Sequence, residues 1–234
     1  EFARNKIRDT VDDPETSQKL MPSYPFGTKR LILDNGYFEA YNRDNVQLVD
    51  ITEAPIERLD ADGIQTADAH YDLDLIVYAT GFDAITGSWE KVDITGVDGK
   101  NLKDKWKDET KTYLGLSIND FPNLFMIAGP QGIAGSTNFP RAIEVGVEWI
   151  ADLLKHARAE GHTRLNVSSE AEEQWHEKVI IAHQRLLSRH SKGWFTGYNT
   201  NLEGREEGKV RYHAFFGGVP HYRTATQKAA AEGY

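Results

Sequence analysis

Lys29 and Arg30 stand side by side, just after Gly27-Thr28 and just ahead of the apolar triplet Leu31-Ile32-Leu33. Two adjacent cations at the mouth of a strand can hold a phosphate or steady a developing oxyanion. Arg30 suits the second task better, because a guanidinium keeps its proton and offers a planar fork of donors. Two solvated surface cations look the same, and the dipeptide alone does not separate the readings. Trp194 lies in Gly193-Trp194-Phe195-Thr196-Gly197, a loop where an indole can stack on a flat ligand, cap a pocket or simply pin the loop. Thr80 and Gly81 end the run that begins at Asp74, and their small side chains let something approach the backbone closely. An ordinary turn after a buried strand reads identically.

Other chemistries lack local support. The chain has no Gly-x-Ser-x-Gly elbow, no His-Glu-x-x-His and no Walker A loop, so hydrolase and kinase-type readings have nothing to stand on. No histidine pairs with another at metal-ligand spacing. No Gly-x-Gly-x-x-Gly follows a strand, so a loop gripping a dinucleotide pyrophosphate would lie elsewhere. A net charge of −9 and a pI near 5.4 argue against a general nucleic-acid or anionic-membrane surface. With no cysteine, disulfides and thiolate metal sites are excluded, and a reducing cytoplasm is the simplest home. The start, Glu1-Phe2-Ala3, has no initiator Met and no helix cap. With a mean hydropathy of −0.57, this points to the later part of a longer polypeptide whose missing part holds some core partners.

The elements that must position these residues follow from periodicity and punctuation. Residues 1–20 read as the end of a helix and a second short one starting at Asp13-Pro14. Residues 31–33 and 46–51 read as strands, residues 56–59 and 63–66 as a hairpin turned at Asp60-Ala61-Asp62-Gly63. Residues 75–78 and 123–130 read as strands buried on both faces, each delivering small residues to what could be one ligand-facing edge. The glycine-rich loop 129–136 then leads into an amphipathic helix over 140–160, with Ile143, Val147, Ile150, Leu153 and Leu154 on its apolar face and Gly161 as its stop. Another helix covers 169–188. Trp89, Trp106, Trp149 and Trp175 read as packing residues. The fold class is α/β.

Several motifs taken together resemble the type I Baeyer–Villiger monooxygenases. They are Gly27-Thr28-Lys29-Arg30-Leu31-Ile32-Leu33, Tyr41-Asn42-Arg43-Asp44-Asn45-Val46, Ala79-Thr80-Gly81-Phe82-Asp83-Ala84-Ile85-Thr86-Gly87, Thr112-Tyr113-Leu114-Gly115-Leu116-Ser117, Phe121-Pro122-Asn123-Leu124-Phe125 and Trp194-Phe195-Thr196-Gly197. The resemblance runs in order along almost all of the chain and covers the later half of such an enzyme. It implies a partial flavoprotein with Rossmann-like FAD and NADP domains. Residues 1–26 would end a helical insertion, 27–80 return to the NADP-binding domain, and 81–234 form the C-terminal part of the FAD-binding domain with a mobile loop near 190–210. The implied cofactors are FAD and NADP. The implied partners are a small ketone, O2 and the missing N-terminal half, with no nucleic acid and no membrane.

The implied reaction turns ketones into esters or lactones through a flavin peroxide that the family's active-site arginine, here Arg30, stabilises. Lys29 matches the lysine favouring the NADPH 2′-phosphate, and Trp194 the tryptophan that closes over the nicotinamide. Thr80 and Gly81 match the linker between the two dinucleotide domains, and Asn138 and Phe139 fall where family backbone groups approach the flavin ring. The substrate wall would comprise Phe82, Pro130, Ile133, Gly135, Ser136 and Phe195. The loop 132–137 and the stretch 201–205 depart from the family pattern, which bears on substrate range and on the grip on NADP. Two other readings stand beside this one: a related flavin monooxygenase acting on nitrogen or sulfur, against which Arg30 counts, and a non-catalytic nucleotide-binding fragment.

Overall fold

The computed structural model describes residues 1–133, 137–199 and 210–234. These divide into one unit made of Glu1–Phe26 and Arg30–Gly81 and another made of Gly27–Lys29 and Phe82–Tyr234.

The first unit opens with α1 (Phe2–Thr10) and α2 (Pro14–Leu20). Asp13 caps α2 by accepting the Thr16 N–H at 2.8 Å, and Pro14 occupies the first turn, where its missing N–H costs nothing. Asn42 closes the end of α1: its Nδ2 donates to Thr10 O at 2.7 Å while its Oδ1 accepts from Asp12 N at 2.9 Å. The three-stranded antiparallel meander β1 (Ile56–Leu59), β2 (Gly63–Thr66) and β3 (His70–Asp72) follows. Ile56 lies opposite Thr66 and Leu59 opposite Ile64, and Asp60 Oδ1 accepts the Gly63 N–H at 3.0 Å to shape the turn. The expected hairpin is therefore present.

Three expected strands are not. Residues 31–33, 46–51 and 75–78 lie in irregular backbone, and the first and last are exposed: Leu33 by 97 %, Val77 by 78 %. A strand buried on both faces needs a hydrogen-bonded neighbour on each side. None pairs with these segments among the described residues, so the apolar runs stay open.

The second unit carries the short helices α3 (Gly87–Glu90) and α4 (Leu102–Lys105) and then three longer ones, α5 (Phe139–Ala159), α6 (Ser169–Gln184) and α7 (Val219–Ala231). A minor core of Leu102, Trp106, Ile118, Phe121 and Met126 lies beside a larger one in which α5, α6 and α7 enclose Leu114, Leu116 and Phe215. Asn138 caps α5 through Arg141 N at 3.2 Å, and Ser168 caps α6 through Ala171 N at 3.1 Å. Gly161, at φ +74°, lies just past the end of α5, as expected.

The buried face of α5 differs from the expected one. It is Ala142, Val145, Gly146, Trp149, Leu153 and Ala157, whereas Val147 and Leu154 are exposed. Small residues define the close contact: a Cβ on Gly146 would lie 2.8 Å from Leu116 Cδ2. Nor is 123–130 a strand, since Asn123 and Ala128 both sit in the left-handed region at φ +60° and bend the chain. Only a lone bridge joins Ser117 to Phe125. Trp106, Trp149 and Trp175 are buried in the two cores, as their reading as packing residues requires. No helix of the described residues is long and apolar enough to cross a membrane.

One buried group gives the second unit a pH signature. His183 on α6 is 0 % exposed, its ring 5.3 Å from Tyr212 and 5.6 Å from Phe216, and neither ring nitrogen has a hydrogen-bond partner among the described residues. Burial holds its pKa below the ordinary 6.5. The unfolded chain therefore takes up a proton there before the folded chain does, and stability falls as pH drops through about 6.5. The slope reaches at most about 1.4 kcal/mol per pH unit and flattens once the folded ring also protonates. His183→Leu should shrink the stability difference between about pH 7.5 and about pH 5.5, read by urea unfolding. Equal differences in parent and variant would clear His183 of the effect.

Candidate functional site

The loop at 129–133 is built around Gln131, which is fully buried and held at φ +63°. Every polar group of its amide has a partner. Thr112 N donates to Oε1 at 3.1 Å, and Nε2 lies 2.6 Å from His176 Nδ1, which must accept because an amide nitrogen can only donate. Its carbonyl accepts the Trp175 indole N–H at 3.2 Å, and its own N–H donates to His213 O at 2.9 Å. Thr112 Oγ1 also donates to Pro130 O at 2.8 Å. The loop packs directly on residue 115, where Gly115 has φ +70° and an added Cβ would meet Gly132 Cα at 2.3 Å. Glycine is needed at 115, where a side chain would collide with the facing backbone and the left-handed φ is open to glycine.

Trp194 begins a tight turn that a threonine hydroxyl closes. Thr196 Oγ1 donates to Gly193 O at 2.9 Å and accepts from Gly193 N at 3.1 Å, and Gly197 leaves the turn at φ +75°. The indole itself is 55 % exposed, whereas Phe195 is half-buried with its ring edge-on to Phe216 at 5.2 Å. The segment 211–215 runs between this turn and the 129–133 loop and bonds to both. Arg211 N and His213 N donate to Thr196 O and Phe195 O at 2.9 and 3.1 Å, and Phe215 N donates to Gly132 O at 3.0 Å. Thus Pro130, Ile133, Trp194 and Phe195 share one hydrogen-bonded framework within the second unit.

Asn138 and Phe139 are exposed at the start of α5, Phe82 is 80 % exposed, and Lys29 is exposed. Gly135 and Ser136 lie outside the described residues. In the first unit, Arg30, Thr80 and Gly81 are all exposed, and among the described residues Arg30 has no ion pair. The exposed indole of Trp194 offers a flat face on which a ring can stack, a chemistry compatible with a dinucleotide cofactor. Gln131, His213 and His176 went unremarked in the sequence, and Thr112 stood there only as the first residue of a motif. Their only signal was a polar residue set among apolar neighbours, as His213 is in Tyr212-His213-Ala214-Phe215-Phe216.

No protein-family model matches the chain. It is 39% identical over 235 residues to the 2-oxo-Delta(3)-4,5,5-trimethylcyclopentenylacetyl-CoA monooxygenase of Pseudomonas putida, covering 100% of this chain and 43% of that protein. A Baeyer-Villiger monooxygenase of Pseudooceanicola batsensis is 36% identical, and a phenazine N-monooxygenase of Lysobacter antibioticus 39%, each over 100% of this chain and 42% of its own length. The crystal structure of the OTEMO complex with FAD and NADP superposes with a TM-score of 0.87 at 40% identity, covering 100% of this chain and 42% of that one. The chain spans about two-fifths of the length of the curated relatives it matches. Over all 234 residues, this polypeptide is homologous to the Baeyer–Villiger monooxygenases.

Proposed function

We propose that the chain forms the later half of an FAD- and NADPH-dependent Baeyer–Villiger monooxygenase. The balanced reaction is ketone + O2 + NADPH + H⁺ giving ester or lactone, water and NADP⁺. The observation that carries this reading is the similarity along the whole chain to such enzymes, one of them crystallised with both FAD and NADP. Bound FAD, reduced by NADPH, supplies the activation of O2. Arg30 holds the negative charge that develops on oxygen, since its guanidinium stays charged at any working pH. Lys29 meets the 2′-phosphate of NADPH, and the open face of Trp194 covers the nicotinamide. Asn138 and Phe139 offer main-chain groups to the flavin ring, while Phe82, Pro130, Ile133, Gly135, Ser136 and Phe195 shape the ketone pocket. Thr80 and Gly81 form the passage between dinucleotide domains, with residues 27–80 on the NADP side and 81–234 on the FAD side. The open apolar runs at 31–33 and 75–78 then become strands of Rossmann-like sheets completed by the N-terminal half.

The test uses the chain continuous with that N-terminal half, loaded with FAD and supplied with NADPH, labelled O2 and a simple aryl ketone. One labelled oxygen in the ester and one NADPH consumed per ester are expected. Bound flavin without ester would overturn the reading. Similarity to a phenazine N-monooxygenase supports a second reading, oxygenation at nitrogen, and an N-oxide from an aromatic amine in place of ester would favour it.

A further inference from the structure

His213 is 3% exposed and contacts the Trp194 turn through both its ring and its backbone. Its Nδ1 lies 2.9 Å from Trp194 O, its Nε2 3.2 Å from Thr110 Oγ1, and its N–H donates to Phe195 O at 3.1 Å. A carbonyl cannot donate, so Nδ1 carries the proton and points it at Trp194. The backbone carbonyl of His213 accepts from Gln131, whose amide and carbonyl are themselves held by Thr112, His176 and Trp175. The ring that fixes Trp194 is thus braced from behind by a buried network, while the indole it serves remains open.

We infer that His213 is a positioning residue that holds Trp194 in the geometry that receives the nicotinamide cofactor. This rests on the proposed role of Trp194. Without the Nδ1 bond, the turn samples other arrangements, and apparent affinity for the cofactor drops by the fraction of molecules left competent. Loss of one such bond is expected to weaken NADP⁺ binding roughly three- to tenfold.

Three variants of the complete FAD-loaded enzyme separate this role from packing. Asparagine places its amide nitrogen near where Nδ1 sits, whereas glutamine reaches only the Nε2 position and leucine offers no donor. His213→Asn should bind NADP⁺ within about twofold of the parent, while His213→Gln and His213→Leu show the full loss, appearing in the KM for NADPH rather than in kcat. In the flavin-free chain, ¹⁵N resonances of the ring should report a proton on Nδ1. Equal NADP⁺ affinity in all three variants, Asn and Gln weakened alike, or a ring protonated on Nε2 alone would overturn the inference. If the parent enzyme itself fails to bind NADP⁺, the reading of the whole site falls, and this inference with it. Should His213→Leu fail to fold, the contrast between Asn and Gln decides alone.

Discussion

Replacing Arg30 with alanine in the complete enzyme is expected to lower ester formation by at least about a hundredfold while FAD stays bound. Removing a single preorganised donor from a developing oxyanion commonly lowers the rate by ~10²–10³. In the role proposed for Arg30 the donor is also a full positive charge, and desolvation by the rest of the enzyme would strengthen it further. Arg30 is exposed in this chain and has no ion pair among the described residues, so no local carboxylate depends on it for stability. The loss should therefore fall on turnover and leave the melting temperature unchanged. Arg30→Lys should restore only part of the rate, because an ammonium is a point charge without the planar fork. Ester formation at the parent rate in Arg30→Ala would remove Arg30 from the chemistry.

Trp175→Ala should be the most damaging single change to stability in the second unit, about 3–5 kcal/mol by urea unfolding. The indole is 2% exposed, with Phe215 4.8 Å and Tyr222 5.9 Å away ring to ring. Its N–H also meets the Gln131 carbonyl at 3.2 Å, so truncation leaves both a cavity and a buried acceptor without its donor. Trp175→Phe refills most of the volume but not the donor and should lose about 1–3 kcal/mol. A loss below about 1 kcal/mol for the alanine variant would mean that the neighbouring rings collapse into the gap and that the site is poorly packed.

Features encoded within a few residues were legible in the sequence. Asp13-Pro14 and Gly161 mark helix ends by short-range hydrogen bonding or backbone freedom, and the helices appear where those signals stand. The turn at Asp60–Gly63 is equally local. The runs at 31–33 and 75–78 are not strands in this chain, because apolar character registers a need for burial, not the neighbour that meets it. On α5, the reading followed the large side chains, while the close face is set by Ala142, Gly146 and Ala157, which carry almost no hydrophobic signal. The brace behind Trp194 could not be seen at all: Thr110 and His213 are 103 positions apart, and no spacing rule joins them. The proposed cofactor and substrate residues rest on resemblance in motif order, since a lone arginine or tryptophan carries no role of its own.

The contact between Gly115 and Gly132 bears on any attempt to re-engineer the pocket. With 2.3 Å between a would-be methyl at 115 and Gly132 Cα, any side chain at 115 would have to pry two main chains apart. Under the proposed function, mutant libraries aimed at new substrates are better spent on Pro130 and Ile133, leaving Gly115 untouched.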